Sequence, residues 1–453
     1  MIPLRLSEIA SVVGGTLHGD DVLVSGPAYV DSRTPVPDGL FVAVVGERVD
    51  GHAYAAGAHA VLGSRPTEAP TVVVDDPVSA LGRLARHVVD SLDVTVLAMT
   101  GSQGKTGTKD YLAAVLRTLA GDDAVVATAA NNNNELGVPL TVLRADAGTR
   151  FLVVEMGARG IGHITYLCSI APPDIAAVLN VGTAHVGEFG GREQIARAKG
   201  EIVEALGPAG TAVLNADDAL VAAMAPRTDA ALVTFGTTGT VHWGPVELDE
   251  LGRPGFRLAR GEDAADVQLL QTGLHQVQNA AAAAAMATSA GFALADVARA
   301  LGGAAAASRW RMEVSERSDG LVVVNDSYNA NPDSMRAALE ALASIGASRG
   351  RRTVAVLGEM KELGSEHDAG HRAVGADAAR LGVDVLLVVG EAARGIAEAA
   401  ADGAGEVIVT VGREDAASWL RQNAGPEDVV LVKASRGVAL EWVAEQVLEG
   451  TTP

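Results

Sequence analysis

The sequence contains a single cysteine, little positive charge and no long apolar run. The one cysteine, Cys168, excludes an internal disulfide and suits a reducing compartment. No apolar stretch reaches the roughly 18 residues of a membrane span, and the N-terminus lacks the basic and apolar segments of a signal peptide. We therefore expect a cytoplasmic protein with no membrane insertion.

Positive charge is scarce, with 35 lysines and arginines against 56 acidic residues and a net charge of −21. This balance argues against a nucleic-acid partner or a membrane-surface partner. Anionic ligands can bind only where the few cations are concentrated. Only five residues are lysines, so each is a candidate for a specific role: Lys105, Lys109, Lys199, Lys361 and Lys433.

What the chain does contain is enough apolar sequence for about three globular domains. It has 453 residues, of which 48% are hydrophobic and 20% charged. Residues 1–91 mix short strands and helices, and residues 92–307 alternate apolar strands with amphipathic helices. Residues 308–453 repeat that alternation. The pattern predicts an α/β protein with a small N-terminal domain, a central domain with a mainly parallel sheet and a Rossmann-like C-terminal domain.

The chain is organised around residues 98–116, AMTGSQGKTGTKDYLAAVL. An apolar strand breaks into a glycine loop and then into a helical pattern, which is the context of a phosphate-binding loop. Lys105 is expected to reach the β- and γ-phosphates, and the Thr106 hydroxyl to ligate Mg²⁺. Met99 stands where the common motif has its first glycine, so the loop is a shortened variant. The nucleotide set here comprises Gly101, Ser102, Gln103, Gly104, Lys105, Thr106 and Gly107.

Two further groups follow strands of the same predicted sheet. Glu155 ends the strand that begins at Phe151, and His185 follows the strand 175–179. Because ligands collect at the carboxyl ends of parallel strands, both are expected near the phosphate loop. With Thr106 they could hold metal ions around a triphosphate.

Lys199 lies within the apolar face of a helix predicted over residues 192–206. A lone ammonium on a buried face is costly. It could form a structural ion pair with a glutamate or extend its charge to solvent. Alternatively, a lowered pKa would let it react with CO₂, and the carbamate would be an acidic metal ligand.

Three other polar segments leave their function open. Asn134, in the asparagine-rich loop 131–135, could cross over the nucleotide or simply form a turn. His275 and Asn279 lie four residues apart on one helix face and could read an adenine edge or merely cap the helix. The run Asp31-Ser32-Arg33 could grip an anion or be a surface loop.

Taken together, the motifs resemble those of the Mur ligases along the whole chain, and most closely the MurF type. The segments that carry the resemblance are TGSQGKTGTK, NNNNELGVPLTVL, EMGARGIGHI, LNVGTAHVGEFGGREQIARAKGEI, GLHQVQNAAAA, NDSYNANPDSM and LGEMKELG. The resemblance implies an ATP-dependent ligase of peptidoglycan biosynthesis that adds D-alanyl-D-alanine to UDP-N-acetylmuramoyl-tripeptide through an acyl phosphate. It implies ATP, two Mg²⁺ ions and a carbamylated Lys199 in the active site, and we expect the protein to be a monomer.

The resemblance also assigns residues. Lys105, Glu155, His185 and Lys199 would be catalytic, with Thr106, Glu155, His185 and Lys199 holding metal. The ATP site would be completed by one of two arginines, Arg309 or Arg311, of which Arg309 is the one assigned. Its other members would be Asn134, His275, Asn279 and Asp326. The uridine-diphosphate site would comprise Asp31, Ser32, Arg33, Arg48 and His52. D-alanyl-D-alanine would meet Asn329, Asn331, Ser435 and Arg436.

Two departures from the family pattern leave these residues in place: Gly107 replaces a usual Ser or Thr, and Ala434 a frequent Gly. Two other functions compete with this interpretation. A folylpolyglutamate synthetase-like ligase is disfavoured by the N-terminal segment DSR…LFVAVVGERVDGH, which those enzymes lack. A nonenzymatic ATP-gated binder has no need of a second metal site.

Overall fold

The computed structural model describes residues 1–46, 49–182 and 191–449. The N-terminal part is built on a five-stranded sheet in the order β2-β7-β6-β5-β4, with a separate β1-β3 pair. Helix α2 begins where Asp76 accepts a hydrogen bond from the Val78 amide and Pro77 opens the first turn, as expected for a helix start. The elements are β1 Leu4–Arg5, α1 Leu6–Val13, β2 Thr16–His18, β3 Leu23–Val24, β4 Ala28–Tyr29, β5 Leu40–Val42, β6 Ala60–Gly63, β7 Thr71–Val73 and α2 Pro77–Asp90.

The middle part contains a nine-stranded sheet in the order β16-β15-β14-β13-β12-β11-β8-β10-β9. Its strands are parallel from β9 to β14, which confirms the predicted parallel sheet, and the β14-β15-β16 edge is antiparallel. The strands are β8 Thr95–Thr100, β9 Val125–Ala127, β10 Phe151–Glu155, β11 Ile175–Val178, β12 Thr211–Asn215, β13 Ala231–Phe235, β14 Val241–Leu248, β15 Pro254–Arg260 and β16 Asp263–Gln268.

Helices cover both faces of this sheet and form two apolar clusters. The alanine run 280–285 is fully buried against Leu112 and Leu116 of the helix that follows the phosphate loop. Small side chains there let the two helices approach closely. The described helices are α3 Lys105–Ala120, α4 Gly137–Val142, α5 His163–Ile170, α6 Arg192–Glu204, α7 Ala219–Ala222, α8 His275–Ser289 and α9 Leu294–Gly302.

The C-terminal part has a six-stranded sheet in the order β17-β18-β22-β19-β20-β21, parallel except for β17. No helix of the described chain has the length and apolar character to cross a membrane. The three main sheets share no strand, while the limits at 91/92 and 307/308 stay predictions. The elements are β17 Glu313–Glu316, β18 Val322–Asn325, α10 Pro332–Arg349, β19 Arg352–Gly358, α11 His367–Arg380, β20 Val385–Val389, α12 Arg394–Ala400, β21 Glu406–Thr410, α13 Arg413–Asn423, β22 Asp428–Lys433 and α14 Glu441–Leu448.

Candidate functional site

The phosphate loop lies between the end of β8 and the first residue of α3. Gly104 has φ +79°, a conformation that favours glycine, and it directly precedes the helix. The Lys105 Nζ donates to the Gly101 carbonyl at 2.6 Å. The loop is also tied to the end of β11, because the Gln103 amide donates to Asn180 Oδ1 at 3.0 Å. Residues 101–107, which include the start of α3, line the space above the sheet, and a helix N-terminus favours an anionic ligand there.

The Thr106 hydroxyl donates to Glu155 Oε2 at 2.9 Å, which places the two predicted metal-binding oxygens together. The Asn133 amide donates to the other carboxylate oxygen, Oε1, at 2.7 Å. Glu155 is 1% exposed, and its own amide donates to Thr128 Oγ1. Thr106 and Asn133 thereby hold the carboxylate, while Thr128 holds the backbone of the same residue.

Lys199 is 5% exposed on α6, and its side chain lines the same space as Glu155. No carboxylate among the described residues forms an ion pair with it, so the structural Lys–Glu pair considered from the sequence has no partner there. Burial, with a smaller effect from the charge of Lys105, lowers the pKa of Lys199 well below its usual range. His185, the remaining predicted metal ligand, lies outside the described residues. Within those residues no cluster of three or more His, Cys, Asp or Glu side chains could hold a metal.

The start of α8 packs against the phosphate loop. A Cβ at Gly104 would lie 2.6 Å from Asn279 Oδ1, and one at Gly107 would lie 2.7 Å from Asn279 Nδ2. Both glycines therefore make room for this amide, which also donates to Gln276 Oε1 at 3.0 Å. Close packing against Asn279 is a physical reason for glycine at position 107.

His275 and Asn134 reach the same space. The His275 Nδ1 atom is buried without a hydrogen-bond partner, and burial lowers the pKa of this imidazole. Asn134 lines the space too, while its Oδ1 accepts from the Gly137 amide at 2.9 Å at the start of α4. Which part of a nucleotide these side chains contact stays a prediction.

The C-terminal part supplies the opposite wall. Arg311 stacks over the Tyr328 ring at 4.1 Å, and its charge adds to the lowering of the pKa of Lys105 by burial, which Glu155 opposes. Asp326 Oδ2 accepts from Lys433 Nζ at 2.6 Å, and this lysine is 2% exposed.

Lys433 also donates to the Asn329 carbonyl at 2.9 Å, so it fixes the loop that follows β18. Asn331 begins α10 by accepting from the Ser334 amide at 2.9 Å. Asn329 and Asn331 both line the space between the walls.

Three residues assigned from the resemblance lie outside this space. Arg309 is largely exposed, with its nearest acidic group, Glu445, at 3.9 Å, so Arg311 rather than Arg309 faces the phosphate loop. Ser435 is buried, and its hydroxyl accepts from the Lys361 amide at 2.8 Å. Arg436 pairs with Glu441 and lies over the Trp310 ring. Arg309, Ser435 and Arg436 are therefore not among the residues that line this cleft, and their assignments to ligands stay predictions.

The two walls enclose one cleft of about 910 Å³. It brings together the phosphate loop, the Glu155 region, Lys199, the start of α8, and the segments before β17 and after β18 of the C-terminal part. Its charged and imidazole lining comprises Lys105, Glu135, Glu155, Arg159, His163, Lys199, His275, Arg311, Asp326, Glu362 and Lys433.

The predicted uridine-diphosphate residues lie apart from this cleft. Arg33 forms two hydrogen bonds to Asp31, at 2.9 and 2.7 Å, which lower the pKa of the Asp31 carboxyl to about 2. Ser32 lies between them, half-buried. Arg48 lies outside the described residues.

His52, the last residue predicted for the uridine-diphosphate site, is held by contacts within the N-terminal part. It is 7% exposed, and its Nδ1 contacts Asp50 Oδ1 at 2.7 Å while its Nε2 accepts from the Ser64 amide at 2.9 Å. Both ring nitrogens are occupied within the N-terminal part, so His52 supports the loop rather than offering a nitrogen to a ligand.

Sequence reasoning missed four residues of this region: Asn133, Arg159, Asn180 and Lys433. The first lies in the asparagine loop that was singled out, one residue before Asn134. Lys433 is one of the five lysines and follows a strand end. Scarcity and position at a strand end were therefore the signals that could have identified it.

These features define a P-loop nucleotide-binding protein in which a second α/β unit supplies the other wall of the cleft. The Mur ligase middle domain family matches residues 99–287, and the Mur ligase glutamate ligase domain family matches residues 310–436. The chain belongs to the Mur ligase family.

Its relatives confirm the resemblance to the MurF type. The UDP-N-acetylmuramoyl-tripeptide–D-alanyl-D-alanine ligase of Mycobacterium tuberculosis is 45% identical, over 100% of this chain and 99% of that protein. The UDP-N-acetylmuramoylalanyl-D-glutamyl-2,6-diaminopimelate–D-alanyl-D-alanyl ligase of Acinetobacter baumannii is 30% identical, with a TM-score of 0.86 over 99% and 98% of the two chains. MurF of Thermotoga maritima in complex with ADP is 30% identical, with a TM-score of 0.81 over 94% and 98%.

Proposed function

We propose that this chain joins D-alanyl-D-alanine to UDP-N-acetylmuramoyl-tripeptide, with conversion of ATP to ADP and phosphate, in the peptidoglycan pathway of the cytoplasm. The observation that carries this proposal is the single cleft in which the phosphate loop and the Thr106–Glu155 pair face Arg311 and Asp326. A relative that matches the chain from end to end bears the name of this activity. We further propose that the enzyme acts as a monomer.

The reaction needs no covalent nucleophile from the protein. An oxygen of the terminal carboxylate of the tripeptide bonds to the γ-phosphorus of ATP, the bond from that phosphorus to the bridging oxygen breaks, and ADP leaves. The amine of D-alanyl-D-alanine, after losing a proton, then bonds to the acyl carbon, and inorganic phosphate leaves. Catalysis in this scheme is positioning and charge stabilisation.

The residues divide these tasks between the two walls. Lys105 and the phosphate-loop amides hold the β- and γ-phosphates, and Arg311 approaches them from the opposite wall. Asn134, His275, Asn279 and Asp326 complete the nucleotide site. Asn329 and Asn331 remain the candidates for the dipeptide, and Asp31, Ser32, Arg33 and Arg48 those for the uridine diphosphate.

The donor groups in the cleft fit Mg²⁺, which prefers oxygen ligands and keeps several waters. Thr106 and Glu155 would hold one ion, while His185 and a carbamylated Lys199 would hold the second. Two such ions would neutralise the negative charge of the triphosphate and the acyl phosphate. Lys199 suits carbamate formation because it is 5% exposed and lines the cleft without an ion-pair partner among the described residues.

The test is phosphate release by the purified protein with ATP, Mg²⁺ and D-alanyl-D-alanine, with and without the UDP-linked tripeptide. Two donors are used, one ending in diaminopimelate and one in lysine. Release that requires both substrates, with the pentapeptide product detected by mass spectrometry, is the expected result. A folded, ATP-binding sample that releases no phosphate with either donor would overturn the proposal.

A further inference from the structure

Arg159 lines the cleft, is exposed, and forms no side-chain hydrogen bond or ion pair with any residue that the structure describes. By contrast, Lys105, Arg311 and Lys433 each contact a protein group through their charged ends. The planar guanidinium of an arginine matches a carboxylate through two parallel hydrogen bonds. In a chain of net charge −21, an unpaired guanidinium in the active cleft indicates an anionic ligand group.

The backbone around Arg159 is held on both sides, so its side chain extends from a fixed base. On one side, the Gly157 amide donates to the Asn133 carbonyl at 2.8 Å. On the other, the Gly162 and Thr165 amides donate to the Glu201 carboxylate at 2.6 and 2.9 Å. Glu201 is 6% exposed on α6, the helix that carries Lys199.

The position of Arg159 places it near the residues of the proposed reaction centre. It follows Glu155 by four residues, so the two Cα atoms are at most about 14 Å apart along an extended chain. Glu155 pairs with Thr106 at the proposed reaction centre. Arg159 therefore lies within reach of the residues that adjoin the reacting carboxylate of the donor.

We infer that Arg159 binds a carboxylate of the tripeptide donor that does not react, an inference that rests on the function proposed above. Two such groups exist in a donor that contains D-glutamyl and diaminopimelyl residues. A glutamyl residue within a peptide keeps one free carboxylate, and diaminopimelate keeps a second after the first is activated. A donor ending in lysine has only the glutamyl carboxylate.

The experiment compares wild type with R159Q, R159K and R197Q. Arg197 is an exposed arginine of α6 that lies outside the cleft lining, so its variant is the matched control. Steady-state phosphate release is measured with three donors, ending in diaminopimelate, ending in lysine, and ending in lysine with the glutamyl carboxylate amidated. R159Q should raise the KM of a recognised donor about 10- to 100-fold, the size of a charge-assisted hydrogen bond.

In R159Q we expect kcat and the KM values of ATP and D-alanyl-D-alanine to stay within about threefold of wild type. R159K keeps the charge but loses the planar guanidinium, so its KM for the donor should lie between those of wild type and R159Q. An effect with both unmodified donors that disappears on amidation assigns the glutamyl carboxylate. An effect with the diaminopimelate donor alone assigns the distal carboxylate. R159Q matching R197Q with every donor, or losing kcat instead of raising the donor KM, would overturn the inference alone. A wild type inactive with all donors would overturn the proposed function and, with it, this inference.

Discussion

The two walls of the cleft are built by different physical means. On the middle-domain wall, the phosphate loop is shaped by glycines, one of which has a positive φ, by a hydrogen bond to Asn180 and by close packing against Asn279. Two lysines of this wall, Lys105 and Lys199, form no ion pair with a described residue. They remain ready for a triphosphate or a metal ion. This wall is poised for ligands and contributes little ionic stabilisation to the fold.

The C-terminal wall is held together by its own charges. Lys433, 2% exposed, links Asp326 to the Asn329 carbonyl, while Trp310 and Met312 have φ values of +58° and +50° on either side of Arg311. Left-handed conformations are uncommon in such side chains and are tolerated where the surroundings enforce them. This difference predicts that substitutions in the middle wall lower the reaction rate and that substitutions in the C-terminal wall also lower the free energy of unfolding.

The largest effect is expected for Lys105→Ala on the middle wall. The variant removes the cation that faces the phosphates, so ATP-dependent phosphate release should fall about 10⁴-fold. The fold should persist because, among the described residues, the Lys105 Nζ donates only to the Gly101 carbonyl. Phosphate release and thermal unfolding are measured beside Lys361→Ala, which lies outside the cleft lining. A near-normal rate would contradict the assignment of the phosphate loop.

Lys199→Met separates the two roles of the buried lysine. If Lys199 acts as a carbamate ligand, the rate should fall about 10³-fold. Replacing an unpaired buried amine by an apolar side chain should leave the melting temperature equal or higher. Enzyme assays with and without added bicarbonate, together with thermal unfolding, test this combination. A variant that loses stability but keeps its rate would show that Lys199 is structural.

Lys433→Met tests the C-terminal wall, where we expect a loss of stability. The substitution leaves the Asp326 carboxylate without its ion-pair partner, and removing one partner of a buried pair lowers the free energy of unfolding by about 3 kcal/mol. Chemical denaturation of wild type, Lys433→Met and the double variant with Asp326→Asn measures this, because the double variant should recover part of the loss. Unchanged stability in Lys433→Met would remove the contrast between the walls.

Sequence reasoning predicted the middle wall better than the C-terminal wall, for a physical reason. The strand, glycine loop and helix around Lys105, and the apolar face that buries Lys199, are local patterns with a fixed period. The choice between Arg309 and Arg311 depends on the backbone conformation at Trp310 and Met312, which no periodicity reveals.

Long-range pairing explains why the surroundings of His52 and Lys433 were not predicted. The occupation of both His52 nitrogens depends on Asp50 and on Ser64, twelve residues away in sequence. The Lys433–Asp326 pair joins residues 107 positions apart. Such contacts are set by tertiary packing, so the residue types alone could not predict them.

The smallest effect is a pH dependence of the C-terminal part. His371 is 1% exposed, its Nδ1 contacts the His367 carbonyl at 2.7 Å, and its Nε2 accepts from the Met360 amide at 3.0 Å. This arrangement requires the neutral imidazole, and burial lowers the pKa of His371 below its usual value. Between the pKa of His371 in the folded chain and about 6.5, the unfolded chain therefore binds more protons than the folded chain. The stabilisation is present above about pH 6.5 and is lost as the pH falls through the folded pKa.

This contribution changes the free energy of unfolding by at most about 1.4 kcal/mol per pH unit. Denaturation at pH 7.5 and 5.5 should show a smaller loss on acidification in His371→Gln than in wild type, because glutamine cannot take up the proton. His18→Gln, at an exposed histidine of the N-terminal part, is the matched control and should keep the wild-type slope. Equal slopes in all three proteins would mean that the neutral imidazole of His371 contributes nothing to the pH dependence of the stability of the C-terminal part.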